Sequence, residues 1–295
     1  MLDALKTVFD EVRKDGIVAN RVTSYQGHIG AHEAVAAYLP GGEKGDRAER
    51  FRRTITHFPS IRFIIVAGTA GAAPKHARLG VIVVNNVKVA QWASYGREQR
   101  LAQLDDLPAP PKILLEALDT LQAQGAKTLG KVTQFAHNLG LENGKYRRPP
   151  SSSDVLFKAD YKHTGAGTCR NCDRAETIDR APRDLKVHYG LIASGPLFRD
   201  GILREEINGM LGGEVLCFDT DAWKLDQAFP SIHIRGMSNY TDSHFADYTW
   251  YEHALALAAV FSKELLLQVP ANEVEQMQTV QSFLRPSSKT YSGKM

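Results

Sequence analysis

The stretch VHYGLIASG at residues 187–195 is followed by RDGILREEINGML at 199–211 and EVLCF at 214–218. The first and third segments are short, apolar and bounded by glycine or charge, which is typical of buried strands. The middle segment carries apolar residues at helical spacing. A strand, a helix and a second strand in this order predict an α/β unit in which the helix covers one face of a sheet.

The same alternation continues in both directions along the chain. Further strands are predicted in HEAVAAYLP (32–40), IRFIIVAG (61–68), LGVIVVNN (79–86) and SIHIRGMS (231–238). Further helices are predicted at 43–58, 110–125, 128–140, 221–229, 249–269 and within 271–284, and a first helix from the spacing of Leu2, Leu5, Val8, Phe9 and Val12. The pattern predicts a three-layer α/β/α sandwich around a central, mixed, twisted sheet.

Composition sets limits on location and partners. The 295 residues are 43% hydrophobic and 23% charged, with a net charge of +3, which favours neither nucleic acid nor a membrane surface as a partner. Three cysteines make a disulfide framework unexpected and suit a reducing compartment. The N-terminus resembles neither a signal nor a transit peptide. We therefore expect a cytoplasmic protein.

The domain organisation is read from composition shifts. Residues 1–270 are predicted to form one α/β domain, interrupted at 142–184 by an insertion rich in Pro, Ser, Gly and charge. Residues 271–295 are predicted to form a C-terminal helix and a loose polar tail.

Three strings carry a family resemblance: HYGLIASGP at 188–196, CFDTDAWK at 217–224 and RGMSNYTDSH at 235–244. They resemble HYGLIASGN, CFEMEAAG and RGICDYADSH of the nucleoside phosphorylase-like domain common in fungal proteins, a branch of the purine nucleoside phosphorylase and N-glycosidase superfamily. Weaker matches extend the likeness to residues 2–270. The resemblance implies the α/β/α fold and assembly as a homodimer or trimer around the cleft.

The resemblance also implies a site for scission of a purine–ribose bond. Such scission needs an acid for the departing base, a carboxylate for the ribose hydroxyls and a cradle for phosphate or water. By position in the matched strings, the acid corresponds to Asn239 and the sugar-binding carboxylate to Asp221. The glycine-rich cradle corresponds to GTAGAA at 68–73, which includes Gly68 and Thr69.

Each of these parts departs from the family pattern. The amide of Asn239 cannot release a proton near neutral pH, although it could recognise a 6-oxopurine. Asp221 is about one methylene shorter than the expected glutamate, and a misplacement of about 1 Å can cost roughly a hundredfold in rate. Alanines replace two of the three flexible cradle positions, and the opening strand with its ALP-type turn has no counterpart before the first predicted helix. Thr220 and Trp223 replace a methionine and a small residue.

Other candidate residues are open to two interpretations. Asp219 and Asp221 are either a helix cap and first-turn acid or pocket residues. Ser194 and Gly195 form either a turn or a ligand contact, and Trp223 belongs either to the core or to the pocket. His244 could be a general base but more often such a residue orders a loop. Together with Phe218, these residues complete the predicted site, with Asp219, Asp221, Asn239 and His244 as its acid–base and polarising groups.

Cys169 and Cys172 form a CxxC with His163 upstream. Zinc needs four ligands and no second CxxC is present in the sequence, so a local structural pair is favoured over a metal site. No cofactor fingerprint is visible either, and we expect no cofactor.

Three functions follow as hypotheses. The leading one is a repurposed, cofactor-free isomerase, cyclase or lyase acting on an apolar or cyclic small molecule, as in fungal specialised metabolism. The second is residual purine nucleoside phosphorylase or N-glycosidase activity. The third is a non-catalytic ligand-binding module.

Overall fold

The structure, a computed structural model, describes residues 4, 6–19, 22–38, 44–87, 89–95, 100–104, 106–165, 168–181, 184–220, 229–244 and 248–284. Its strands are β1 Glu11–Ala19, β2 Val22–Ile29, β3 His32–Tyr38, β4 Ile64–Ala72, β5 Ile82–Val84, β6 Ala90–Tyr95, β7 Arg100–Gln103, β8 Val187–Tyr189, β9 Leu191–Ser194, β10 Val215–Asp219 and β11 Ser231–Asn239. Its helices are α1 Lys44–His57, α2 Lys112–Gln124, α3 Ala126–Glu142, α4 Gly201–Met210, α5 Tyr251–Leu266 and α6 Ala271–Val274.

Among the described residues, eight strands form the central sheet in the order β7-β6-β9-β10-β4-β11-β5-β8. The sheet is mixed: β4 runs parallel to β11 and β9 parallel to β10, whereas β10 is antiparallel to β4 and β5 to β11. This arrangement confirms the predicted fold class.

The period-two alternation of β5 and of Val81 just before it divides the core into two clusters on opposite faces of the sheet. Ile82 and Val84 pack with Ile232, Ile234 and residues of α2, α3 and α5. Val81 and Val83 instead join a second cluster with Ile192 of β9, Cys217 of β10 and Met237 of β11. The helix α4 covers a third cluster, formed with β9 and β10.

Helix α5 is buried on nearly every side and runs directly against β11. Gly236 allows this approach, since a Cβ built at that position would lie 1.8 Å from the carbonyl oxygen of Ala254. A Cβ contact this short does not occur in proteins, so the distance between α5 and β11 requires glycine.

A separate antiparallel sheet, β1-β2-β3, precedes α1 and corrects the prediction for the N-terminus. Leu2 and Leu5 lie outside the described residues, Ala4 and Lys6 are helical, and Val12 lies in β1. Val8 and Phe9 pack on Tyr25, Ile29 and the α5 residues Ala259 and Leu266. Their burial is therefore achieved by a hairpin beside α5, which a helical spacing of apolar residues did not reveal.

Most other predicted elements are present with shifted ends. The single strand predicted at 187–195 is two strands, β8 and β9, which are separated at Gly190. β6 and β7 were not predicted. The helix predicted at 221–229 lies outside the described residues except for its last residue.

The insertion begins at residue 142, the last residue of α3. From residue 143 onward, its described residues form short 3-10 turns and an isolated bridge between Phe157 and Thr177. After α6, a 3-10 turn at Val280–Phe283 places Val280 in a cluster with Phe51 and Ile55 of α1. No helix in the described part of the chain is long and apolar enough to cross a membrane.

Candidate functional site

The candidate site is built where β9, β10, β4 and β11 come side by side. Gly71 of β4 is paired with Phe218 of β10 on one side and with Asn239 of β11 on the other. Asp219 is paired with Ser194 of β9. Because neighbouring strands lie about 4.8 Å apart, the four strand ends form one polar row about 15 Å wide.

Both carboxylate oxygens of Asp219 accept hydrogen bonds from other side chains of the protein. Its Oδ2 accepts hydrogen bonds from Arg235 Nε at 2.9 Å and Nη2 at 2.7 Å, and its Oδ1 accepts from the hydroxyl of Ser194. Both side chains of the ion pair are completely buried. A buried ion pair is maintained only when each charge keeps its partner, so Asp219 acts as an anchor between β10 and β11.

Cys217, two residues before Asp219, does not supply a nucleophile at this site. Burial raises the pKa of its thiol well above the usual value, and the nearby carboxylate of Asp219 raises it further. Since the thiolate is the nucleophilic form, Cys217 remains an inert core residue.

The orientation of the Asn239 amide is set by its neighbours. Its Oδ1 accepts a hydrogen bond from the backbone N–H of Thr241 at 2.9 Å, and its Nδ2 donates to the Ser238 hydroxyl at 3.2 Å. The amide has two N–H donors, and these contacts use one of them. Asn239 can therefore donate a hydrogen bond at the site but has no acidic proton to transfer.

Thr241 places a hydroxyl next to this amide. Its backbone has φ of 55°, an unusual left-handed conformation for a β-branched residue, and its side chain is 7% exposed. The hydroxyl has no hydrogen-bond partner among the described residues. A Cβ at Gly71 would lie 1.8 Å from this oxygen, so glycine at position 71 is required by close packing of β4 against Thr241.

The GTAGAA stretch at 68–73 is the end of a strand. Residues 68–71 pair with β11, Gly71 and Ala72 pair with β10, and the N–H of Ala73 donates to the carbonyl oxygen of Leu216. None of its residues has a positive φ. An anion-binding nest needs alternating backbone conformations that aim several N–H groups at one point, and residues 68–73 do not form one.

The remaining predicted residues are distributed around this row. Gly68 and Thr69 lie earlier in β4, opposite Arg235 and Gly236. Phe218 is buried against Phe198, with ring centroids 5.5 Å apart, and the N–H of Gly195 donates to the backbone oxygen of Asp219. Thr220 follows β10 and is half-buried, while Asp221 and Trp223 lie outside the described residues.

His244 is placed with the insertion. Its ring stacks on Phe157, with centroids 4.0 Å apart, and on Tyr161 at 5.5 Å. Its Nδ1 is 3.6 Å from a carboxylate oxygen of Asp242. The structure thus brings Ser194, Asp219 and Asn239 to one row, and it places His244 in a different setting.

A polar network that the sequence did not reveal fixes the loop after β11. The Tyr240 hydroxyl donates to Asp154 of the insertion and accepts from Arg180 at 2.6 Å, and Arg78 donates to the same carboxylate at 2.8 Å. Burial raises the pKa of Tyr240, and the Asp154 charge raises it further. Buried Arg204 donates to the Tyr240 backbone oxygen at 2.6 Å.

Arg235 was the other residue missed. The sequence did indicate that this arginine would need a buried partner, although it did not indicate which one. An arginine inside the apolar run SIHIRGMS has to meet a buried acid, because an isolated charge cannot be buried at reasonable cost. Asp219 at the end of β10, one strand beyond β4, meets this requirement.

Comparison with known proteins agrees with this architecture. A 5'-methylthioadenosine/S-adenosylhomocysteine nucleosidase of Neisseria meningitidis, in complex with methylthio-immucillin-A, superposes with a TM-score of 0.56 at 17% identity, over 90% of this chain and 93% of that one. The corresponding nucleosidase of Colwellia psychrerythraea, in complex with adenine, gives 0.57 at 15% identity and 90% of each chain. The chain has the nucleoside phosphorylase fold. The fold indicated by the three family strings is therefore confirmed.

At the level of sequence, the chain is 29% identical over 283 residues to a nucleotide-binding leucine-rich repeat (NLR)-like protein of the fungus Hyaloscypha variabilis. The match covers 90% of this chain but 27% of that protein, so the nucleoside phosphorylase fold here corresponds to about a quarter of the relative. No protein-family model matches the chain.

Proposed function

We propose that the chain is a ligand-binding domain that holds a purine-like small molecule on the polar row formed by β9, β10, β4 and β11. We propose further that N-glycosidic scission is lost or strongly weakened. The observation that carries the proposal is the fixed amide of Asn239, which offers a hydrogen-bond donor without a transferable proton. Complexes of solved neighbours with adenine and with methylthio-immucillin-A support the ligand class.

Two further features of the site, at Asp219 and at residues 68–73, also argue against N-glycosidic scission. The carboxylate of Asp219 is occupied by Arg235 and Ser194, so it is not free to accept ribose hydroxyls or a proton. Residues 68–73 hold their N–H groups in strand pairing, which removes the anion cradle that phosphorolysis requires. A bound ligand would be recognised without being cleaved.

The relation to the NLR-like protein supports a module over a stand-alone metabolic enzyme. The matching segment of that protein belongs to a chain several times longer. A domain that binds a small molecule and reports it to other domains needs an occupied site but not turnover. We also propose, as expected from the sequence, that the protein is cytoplasmic and assembles as a homodimer or trimer.

The test combines an activity assay with a binding assay. The chain, incubated with inosine, adenosine, guanosine or methylthioadenosine with and without phosphate, should release little free base by chromatography. Calorimetric titration with adenine and methylthioadenosine should show binding, which Asn239→Ala should weaken roughly tenfold through loss of one hydrogen bond. Asn138→Ala, which removes an exposed helical amide, is the matched control. Rapid base release by the wild-type chain, or equal affinity in Asn239→Ala, would reject the proposal.

A second candidate is a repurposed, cofactor-free enzyme on an apolar or cyclic small molecule. The observation that favours it is the approach of Asp242 to His244, because a carboxylate beside an imidazole that binds no metal can support general acid–base chemistry. In this case Asp221→Asn should lower turnover more than binding, and Trp223→Ala should weaken binding. Unchanged turnover in Asp221→Asn would remove this candidate.

A further inference from the structure

Three potential metal ligands converge in the insertion, away from the polar row. The sulfur of Cys172 lies 3.3 Å and that of Cys169 3.6 Å from the same nitrogen, His163 Nδ1. The three donor atoms lie within 4.8 Å of one another. Both cysteines are reduced thiols, and Cys172 is buried.

A neutral imidazole nitrogen has one lone pair and accepts one hydrogen bond, so the two thiols cannot both donate to Nδ1. The Cys169 thiol also has the backbone oxygen of His244, 4.0 Å away, as an acceptor, which links the cluster directly to His244. A single cation at the centre would satisfy all three atoms at once. In a tetrahedral zinc site, Zn–S bonds of about 2.3 Å and Zn–N bonds of about 2.0 Å place S and N about 3.6 Å apart. The observed spacings fit that geometry.

A fourth donor borders the cluster. The ring of His244 lies 5.5 Å from that of His163, centroid to centroid, and two imidazoles on one zinc ion have centroids about 5 Å apart. Neither ring nitrogen of His244 has a hydrogen-bond partner among the described residues. A half-turn of this ring about its Cβ–Cγ bond exchanges nitrogen and carbon positions and preserves the stacking on Phe157.

We propose that His163, Cys169, Cys172 and His244 bind one structural Zn²⁺ ion. Two thiolates would neutralise the divalent charge, and binding would release their two protons. The chemistry suits zinc over magnesium or calcium, since sulfur and imidazole nitrogen are poor ligands for the harder cations.

The position of the cluster gives the ion a structural role. After α3, the described residues of the insertion hold short 3-10 turns and an isolated bridge, and small units with a limited apolar core are commonly stabilised by a metal or by disulfides. The cluster also joins the insertion to the loop after β11, because the N–H of His163 donates to the Ser243 hydroxyl at 2.9 Å. Zinc would thereby hold Thr241 and its neighbours in position from outside the site.

Metal analysis of the full chain, purified in reductant without chelator, tests the proposal. Elemental analysis should find about one zinc per chain, and the chelated chain should bind Co²⁺ with thiolate charge-transfer and tetrahedral d–d absorption bands. A wild-type chain that carries no zinc and takes up neither Zn²⁺ nor Co²⁺ overturns the proposal. So does a Cys169–Cys172 disulfide in the mass spectrum of the freshly alkylated protein.

Variants assign the ligands. Cys169→Ser and Cys172→Ser should each lower the zinc content at least fivefold, whereas Cys217→Ala, which removes a buried thiol outside the cluster, should retain it. His244→Ala should weaken Co²⁺ binding and alter the d–d bands. Full zinc content in both serine variants would rule out the cluster, and an unchanged cobalt spectrum in His244→Ala would exclude His244 as the fourth ligand. The Co²⁺ titration of the wild-type chain does not depend on whether any variant folds.

Discussion

Two regions of the molecule bury ionisable groups in opposite ways. In the central sheet, Arg235 and Asp219 neutralise each other, and the pairing of β10, β4 and β11 keeps them in register. In the insertion, Cys169, Cys172 and His163 meet in an irregular segment without a strand ladder. The sheet holds its buried ion pair by strand pairing, whereas the cluster in the insertion depends, in our proposal, on a bound cation to hold its ligands together.

The largest effect is expected from breaking the ion pair in the sheet. Arg235→Met should lower the free energy of unfolding by about 3–5 kcal/mol, because it leaves the Asp219 carboxylate buried without its cationic partner. Urea unfolding monitored by circular dichroism measures the change. The double variant Arg235→Met/Asp219→Leu should recover much of the loss.

An exposed pair provides the control for that prediction. Arg13 and Glu33 form a salt bridge whose side chains are 54% and 78% exposed. Arg13→Ala should cost no more than about 1 kcal/mol. If Arg235→Met costs as little as Arg13→Ala, the buried pair does not anchor the sheet.

The next effect concerns close packing at the polar row. Gly71→Ala should destabilise the chain by about 1–3 kcal/mol, since the new methyl group would collide with the Thr241 hydroxyl. Thermal unfolding provides the measurement. Gly130→Ala in α3 is the matched control, because a methyl group at that position would meet no atom within 4 Å beyond the helix backbone, and it should stabilise the helix by about 0.5–1 kcal/mol. Equal responses of the two variants would contradict the packing argument.

A smaller effect is expected where the loop after β11 is tied to the insertion. Tyr240→Phe should cost about 1–2 kcal/mol, because Asp154 loses one donor but keeps Arg78 and Arg180. The pKa of Tyr240 is raised, so its stabilising contribution is complete below about pH 10 and is lost as the pH rises further. The wild-type chain should therefore lose more stability than Tyr240→Phe above pH 10. Parallel pH profiles would show that the hydroxyl is not buried in solution.

The smallest effect concerns the start of the insertion, where His253 of α5 contacts the backbone oxygen of Tyr146 at 3.0 Å. Burial lowers the pKa of His253 despite that carbonyl. A lowered pKa gives stability that is present above about pH 6.5 and is lost as the pH falls. His253→Gln should flatten the decline in melting temperature below pH 6.5, and exposed His137→Gln should not. A decline that is unchanged in His253→Gln would assign the acid sensitivity to other groups.

The sequence predicted those parts of the fold in which local pattern and burial agree. α4 packs on the sheet with the apolar face that its spacing indicates, and β11 is a central strand buried along nearly its whole length. β6 and β7 were missed because AQWASY and RLAQ alternate weakly between apolar and polar residues. Their strand structure depends on partners distant in the chain, which a local pattern does not contain.

The candidate site was partly predictable for a similar reason. Family strings located Ser194, Asp219 and Asn239 at strand ends, and strand ends meet in an open sheet. The commitment of Asp219 to Arg235 was not visible, because it depends on two strands separated by β4. His163 upstream of the CxxC was noticed in the sequence, but a structural pair was favoured there, since a count of cysteines does not show how an irregular segment folds back.

The alternation along β5 has a consequence for how the protein can change. Ile82 and Val84 share no cluster with Val81 and Val83. In a rigid sheet, a substitution on one face therefore changes the stability without changing the packing on the other face. Because the side chains on the two faces share no cluster, the effects of substitutions there should add more closely than those of residues within one cluster. Substitutions in the cluster that packs against α2, α3 and α5 can then accumulate without disturbing the cluster that contains Met237 and Cys217. One side of the sheet can therefore change during evolution while the other side keeps its packing.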